Sequence, residues 1–211
     1  MSNNMIYKVV EDGDVHSLVE EPTAEYGSQL YTYADYLLFK IEERIELIRG
    51  KILKMSGPNT KHQVASRELF CRLYNHLRHQ PCKVFSAPFD VRLPVKNKKK
   101  DSEITTVVQP DIMVVCDTSI IDERGICGAP DLIVEILSPS NSKVEVKYKF
   151  ELYEEAGVKE YWIVNPNEEN IIIYHLTNGK FIAGRPYASE DNIESKAVKG
   201  FSVLVDDIFE N

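Results

Sequence analysis

The sequence predicts an α/β fold, a mixed sheet flanked by helices, and three features carry that reading. A long amphipathic repeat precedes three strand-like runs, and two of those runs are almost continuously apolar. A further helix and strand follow them. Near-continuous apolar runs mark central strands covered on both faces. The order helix, hairpin, helix, three strands, helix, strand describes a mixed sandwich rather than a regular doubly wound sheet.

Residues 1–28 carry acids, a Pro and a Gly without periodicity, which predicts a loosely ordered arm ahead of a single domain over 29–211. Thr32 with Asp35 three residues later predicts a helix start leading into Tyr36, Leu37, Leu38 and Ile41. Arg44–Ile48 and Lys51–Met55 flank Arg49-Gly50 and predict a hairpin, because a Gly there supplies the positive φ of a tight turn. From Lys61 to His79 the residues Val64, Leu69, Leu73 and Leu77 recur at helical spacing, with Pro81 just beyond. Strands are expected over Val84–Leu93, Val107–Cys116 and Leu132–Leu137, joined by a lysine-rich loop and the Gly125/Gly128 segment.

Ser142 and Glu145 form a capping-box signature for a helix that presents Val146, Phe150 and Tyr153 on one face and closes at Gly157. Tyr161–Val164 is the last core strand. Ile171–Leu176 and Phe181-Ile182 pair across Thr177-Asn178-Gly179 as a terminal hairpin, and Phe201–Val205 forms a final strand.

The hydrophobic fraction of 43% and charged fraction of 27% over 211 residues are those of a soluble globular protein. No stretch approaches the roughly 18 apolar residues of a membrane span, so a soluble, cytoplasmic protein is expected. The net charge of −8 disfavours indiscriminate nucleic-acid binding without excluding a basic cleft, and the dense basic run Lys96–Lys100 is expected to be solvated. Cys71, Cys82, Cys116 and Cys127 form no CxxC pair and are expected as reduced structural thiols.

Two acids lie inside segments that otherwise read as buried: Asp111 after Gln109-Pro110, and Glu135 within Leu132–Leu137. A carboxylate in an apolar strand costs several kcal/mol unless something pairs with it. Ile133, Glu135 and Leu137 share one strand face, and Asp111 lies beside Glu135 if the two strands are neighbours. The pair suits a hard cation, Mg²⁺ or Mn²⁺; the structural alternatives are a strand-end cap for Asp111 and a buried ion pair for Glu135. Lys149, one turn from both Glu145 and Tyr153, can reach back to the carboxylates or form an i, i+4 surface pair with Glu145, and Lys147 competes for the same role. Asp131 reads as a strand-start anchor, and His76 and His79 as a solvated helix face.

Pro110-Asp111, then Pro130-Asp131-Leu132-Ile133-Val134-Glu135-Ile136-Leu137-Ser138-Pro139-Ser140, then Lys149-Phe150-Glu151-Leu152-Tyr153 and Ala156-Gly157-Val158-Lys159-Glu160-Tyr161-Trp162-Ile163-Val164 closely resemble the Uma-two family of restriction-endonuclease-like proteins. The resemblance runs from about residue 30 to about residue 185. It implies a restriction-endonuclease-like sheet of the PD-(D/E)XK class, with β-hairpin additions at both ends, and a metal-dependent endonuclease that hydrolyses DNA. The class lysine expected two residues after Glu135 is replaced by Leu137, so the resemblance maps its role onto Lys149 in the following helix. It also singles out Glu46, as an added ligand or holder of a ligand water, and His62, as a substrate contact or proton-transfer group. Catalytic Asp111, Glu135 and Lys149, a cation on Asp111 and Glu135 and a DNA substrate follow from the same resemblance, while a homodimer is expected only because cutting both strands of a duplex generally needs two active sites or two binding events. A catalytically inactive nucleic-acid or protein-binding module on the same fold is the alternative, and an RNA-directed nuclease would keep the same site.

Overall fold

The computed structural model describes residues 29–40, 43–55, 57–94, 99–138 and 143–210. The expected arm 1–28, Ile41, most of the lysine-rich run and the Ser142 cap lie outside them.

The chain enters through α1 (Tyr33–Tyr36), a single turn on which Thr32 and Asp35 form the expected reciprocal capping box. The helix stops there rather than running on to Ile41. β1 (Ile45–Ile48) and β2 (Lys51–Lys54) form the hairpin, with Arg49 and Gly50 both at positive φ, as a two-residue turn matched to strand twist requires. α2 (Thr60–Leu77) is capped by the Asn59 side chain, which accepts from the His62 N–H at 2.9 Å.

Two of the three expected strands are broken. The run 84–93 divides into β3 (Lys83–Ser86) and β4 (Val91–Arg92), and 107–116 into β5 (Val107–Val108) and β6 (Ile112–Val115). Pro88 and Pro110 sit at the breaks, where neither can donate to a ladder, and each run leaves one sheet and enters the other. A short hairpin follows, β7 (Ile121–Asp122) and β8 (Gly125–Cys127), then β9 (Leu132–Ile136).

α3 (Lys143–Ala156) ends as expected at Gly157, whose φ is +86°. There the Gly157 N–H donates to Glu154 O and the Val158 N–H to Tyr153 O, the paired bonds of a Schellman stop. The chain continues through β10 (Glu160–Asn165), β11 (Asn170–Thr177), β12 (Lys180–Ala183), β13 (Asn192–Glu194), β14 (Ser202–Leu204) and the terminal turn α4 (Asp206–Phe209).

One six-stranded sheet has the order β2-β1-β5-β4-β8-β7, a second β12-β11-β10-β9-β6-β3, and β13-β14 forms a small third. β9, α3 and β10 make a parallel βαβ unit, while β6 runs antiparallel to β9 with Ile112 opposite Val134. The two faces of β9 divide the core. Leu132, Val134 and Ile136 pack with Leu69 and Leu73 of α2, whereas Ile133 packs with Leu152 and Tyr153 of α3. Cys82 and Cys116 are joined as a disulfide across the β3–β6 edge, which corrects the expectation that both are reduced; the ladder sets them opposite each other, one residue beyond the Lys83–Val115 pair. Among the described residues no helix is long and apolar enough to cross a membrane.

Candidate functional site

The site forms where the two large sheets meet, at the break between β5 and β6. Extending the β6–β9 register by one residue sets Asp111 opposite Glu135, and side chains directly opposite in an antiparallel pair share a face. Asp111 Oδ2 accepts from the Ile136 N–H at 2.8 Å and lies 3.2 Å from His62 Nε2 in the first turn of α2. Glu135 is on the face that receives α3, its side chain 12% exposed.

Lys149 and Tyr153 are one turn apart on α3 and both reach Glu135. The Lys149 ammonium donates to Glu135 Oε1 at 3.1 Å and Oε2 at 3.2 Å, and the Tyr153 hydroxyl donates to Oε1 at 2.6 Å. The same ammonium lies 3.1 Å from each oxygen of Glu46, which comes from β1 of the other sheet and is fully buried. The Gln109 N–H, at the strand break, donates to Glu46 Oε1 at 2.8 Å.

Two carboxylates, Glu46 and Glu135, therefore hold a single buried ammonium, with Asp111 opposite Glu135 on the neighbouring strand. Burial pushes the Glu135 carboxyl up to about 8; Lys149 opposes the shift, and the charges of Asp111 and Glu46 add to it. Burial works against the charge on Lys149, yet Glu135 and Glu46 hold its pKa well above the ordinary lysine range. Burial and the Glu135 charge push the Tyr153 phenol far up, so its hydroxyl remains a donor.

Lys147, the competing lysine, is exposed and lies 3.9 Å from Glu151. Lys149 is buried, and the Glu145 charge adds to the field that keeps its ammonium protonated. Asp131 anchors the start of β9 by accepting from the Cys116 N–H and from Lys159. His76 lies partly buried against Phe201, and His79 is exposed in the turn beyond the end of α2, so the two do not share a solvated helix face. Sequence reasoning missed two members of the site. In the sequence Tyr153 reads only as core, although its i+4 spacing from Lys149 is visible there, and Gln109 carries no signal beyond preceding Pro110-Asp111. The Gln109 side chain donates to Asp90 Oδ1 at 2.9 Å and to the Tyr36 hydroxyl of α1 at 3.4 Å, and accepts from Arg44 just ahead of β1.

Asp111 and Glu135 offer oxygen donors alone, the chemistry that suits a hard divalent cation. Among the described residues no three His, Cys, Asp or Glu side chains gather as a complete ligand set. Two carboxylates completed by water and substrate oxygens is the pattern Mg²⁺ adopts, and the excess of buried negative charge over the one ammonium fits such a cation.

A protein of Synechocystis sp. (strain ATCC 27184 / PCC 6803 / Kazusa), "Uncharacterized protein slr1290", is 28% identical over 168 residues, covering 79% of this chain and 84% of its own. The crystal structure of "a putative nuclease belonging to DUF820" from Anabaena variabilis ATCC 29413 superposes with a TM-score of 0.66 at 21% identity, covering 85% of this chain and 97% of that one. That likeness is one of fold. The model of the Uma2 family, described as "Putative restriction endonuclease", matches residues 29–206, and the chain belongs to that family.

Proposed function

We propose that this chain is a cation-dependent endonuclease that hydrolyses phosphodiester bonds of DNA, with Asp111 and Glu135 as the cation ligands and Lys149 as the catalytic ammonium. The observation that carries the reading is Asp111 and Glu135 on facing strands beside one buried lysine held by two carboxylates. The family description and the fold likeness support a nuclease.

A Mg²⁺ or Mn²⁺ held by Asp111 and Glu135 would lower the pKa of a coordinated water and polarise a phosphoryl oxygen. The protein's own groups then do the following. Asp111 is fixed by the Ile136 N–H and by His62, so its carboxylate meets the reacting centre already oriented. Tyr153 and Lys149 orient Glu135 in the same way. Glu46 holds Lys149 from the opposite side, leaving the ammonium charged and placed to orient the attacking water and to offset charge developing on the phosphate. Cutting both strands of a duplex takes two such sites, so a homodimer belongs to the proposal.

The test is nicking of supercoiled plasmid, and cleavage of single-stranded DNA and of RNA, with Mg²⁺ or Mn²⁺, by the parent chain, Asp111→Ala, Glu135→Ala and Lys149→Met. Cation-dependent cleavage of DNA lost by about 10²-fold or more in each folded variant is expected. Full rates in Asp111→Ala and Glu135→Ala would overturn the site assignment. Absence of both cleavage and Mn²⁺ binding would overturn the enzyme and favour a binding module on the same fold.

A further inference from the structure

Arg44 has no part in the mechanism above, yet it is fixed beside the same site. It directly precedes β1, two residues before the buried Glu46, and extending the β1–β5 register by three residues sets it beside Pro110, the residue before Asp111. Its guanidinium donates to Gln109 Oε1 through Nε at 3.2 Å and through Nη2 at 2.9 Å. The amide is held in that sense, because its Nε2 donates on the other side to Asp90 Oδ1 at 2.9 Å and to the Tyr36 hydroxyl at 3.4 Å. Gln109 thus links surface to interior: its backbone N–H holds Glu46, and its side chain sets the plane of Arg44.

This way of holding Arg44 leaves its charge unmatched. Arg49, Arg67, Arg72, Arg92, Arg124 and Arg185 each pair with a carboxylate. Among the described residues Arg44 has only the neutral amide, which orients a guanidinium without cancelling its charge. Two of its five N–H donors lie on Gln109 Oε1, so three remain, and the residue is exposed. An oriented fork with its full charge is the form in which arginine takes up a phosphate. A chain of net charge −8 that takes a polyanion needs such cations where the phosphates lie. We infer that Arg44 is a substrate-contact residue that binds a backbone phosphate next to the scissile one, so that the site takes a polynucleotide strand held at two phosphates rather than an isolated phosphodiester. Asp111, Glu135 and Lys149 serve the scissile phosphate, and Arg44, at the entry to β1, serves its neighbour along the strand. The inference rests on the proposed nuclease and goes beyond it by naming what registers the strand on the site.

The experiment measures kcat and KM for Mg²⁺-dependent nicking of plasmid, and the Kd of a short fluorescent duplex in EDTA by anisotropy, over a series of NaCl concentrations. The full parent chain is compared with Arg44→Gln, Arg44→Lys and Arg78→Gln, each checked for folding by thermal denaturation. Arg78 is exposed at the far end of α2, so its substitution controls for the lost charge. Arg44→Gln should raise KM by about ten-fold while kcat stays within about two-fold, the mark of a lost binding contact. It should also lower the slopes of log KM and log Kd against log[NaCl] by about 1, the share of one phosphate. Arg44→Lys should keep the slopes and recover part of KM, since it keeps the charge and lacks the fork. Arg78→Gln should match the parent. A folded Arg44→Gln with parental KM and slopes would overturn the inference and leave the nuclease standing. A fall in kcat with unchanged slopes would also overturn it, because Arg44 would then only support Gln109 and Glu46. A parent chain that binds DNA without cutting it would overturn the proposed catalysis, with the Arg44→Gln binding slope still deciding the phosphate contact. A parent chain that neither binds nor cuts would overturn both.

Discussion

Glu46 and Lys149, 103 residues apart, meet as a buried ion pair in which the ammonium is 3.1 Å from both carboxylate oxygens, joining the first strand of one sheet to the helix that covers the other. Lys149 also serves Glu135, so removing it strands two carboxylates at once. Breaking a buried pair from one side costs roughly 3–5 kcal/mol. Lys149→Met should lower stability by that order in urea denaturation at pH 7. A change below about 1 kcal/mol would show that the pair is hydrated and of the exposed, weak kind.

Glu135 gives the cation-free protein a definite pH dependence. Burial raises its pKa from the ordinary 4.5 to about 8, so the folded chain binds this proton more tightly than the unfolded chain. Between those values the folded state carries more protons, and stability must fall as pH rises. The stabilisation is complete below the unfolded value and is lost as pH rises through about 8. Urea denaturation in EDTA at pH 5 and at pH 8.5 should therefore show a larger loss for the parent than for Glu135→Gln, which cannot titrate. Equal losses in the two proteins would contradict the shift.

Tyr153 tunes the same carboxylate. Its hydroxyl donates to Glu135 Oε1 at 2.6 Å from a fully buried position, and hydrogen bonds to charged groups contribute about 1.5–3 kcal/mol. Tyr153→Phe should destabilise the fold by that order. It should also raise the Glu135 pKa further, because a donor to the charged form is gone. Mn²⁺ affinity should then fall at pH 7 and recover at pH 9, where the proton no longer competes. A calorimetric titration at the two pH values reads the difference, and an unchanged affinity at pH 7 would show that Tyr153 only fills space.

Asp111 and Glu135 were legible because an acid in an apolar strand has few bland explanations, and the β6–β9 pairing then set them face to face. The resemblance, not periodicity, singles out Lys149 over Lys147, and the phase of α3 agrees in geometry: two residues along a helix turn a side chain to the opposite side, so Lys149 is buried beside Glu135 while Lys147 points to solvent. The long strands 84–93 and 107–116 misled because apolar residues continue on both sides of Pro88 and Pro110. Periodicity records burial, and it is blind to which sheet does the burying. Tyr153 was hidden for a related reason: a tyrosine on an apolar helix face looks like packing until its hydroxyl partner is in view. The Cys82–Cys116 bond depends on β3 lying beside β6, a pairing of residues 34 apart that spacing alone does not reveal.

Gly125 supports the site from behind, and its substitution separates backbone strain from contact. It adopts φ +127° in β8, and a Cβ there would lie 2.2 Å from the carbonyl oxygen of Asp90. Asp90 holds the Gln109 side chain, and the Gln109 N–H in turn holds Glu46. Gly157 is the matched control, with φ +86° and no neighbour within 4 Å of a new Cβ. Gly157→Ala should cost only the left-handed penalty of about 1–2 kcal/mol. Gly125→Ala must also displace Asp90, so it should cost more in urea denaturation and should weaken Mn²⁺ binding in the molecules that remain folded. Equal losses for the two alanines, with Mn²⁺ binding unchanged, would show that Asp90 yields freely and that the chain from Gly125 to Glu46 transmits nothing to the site.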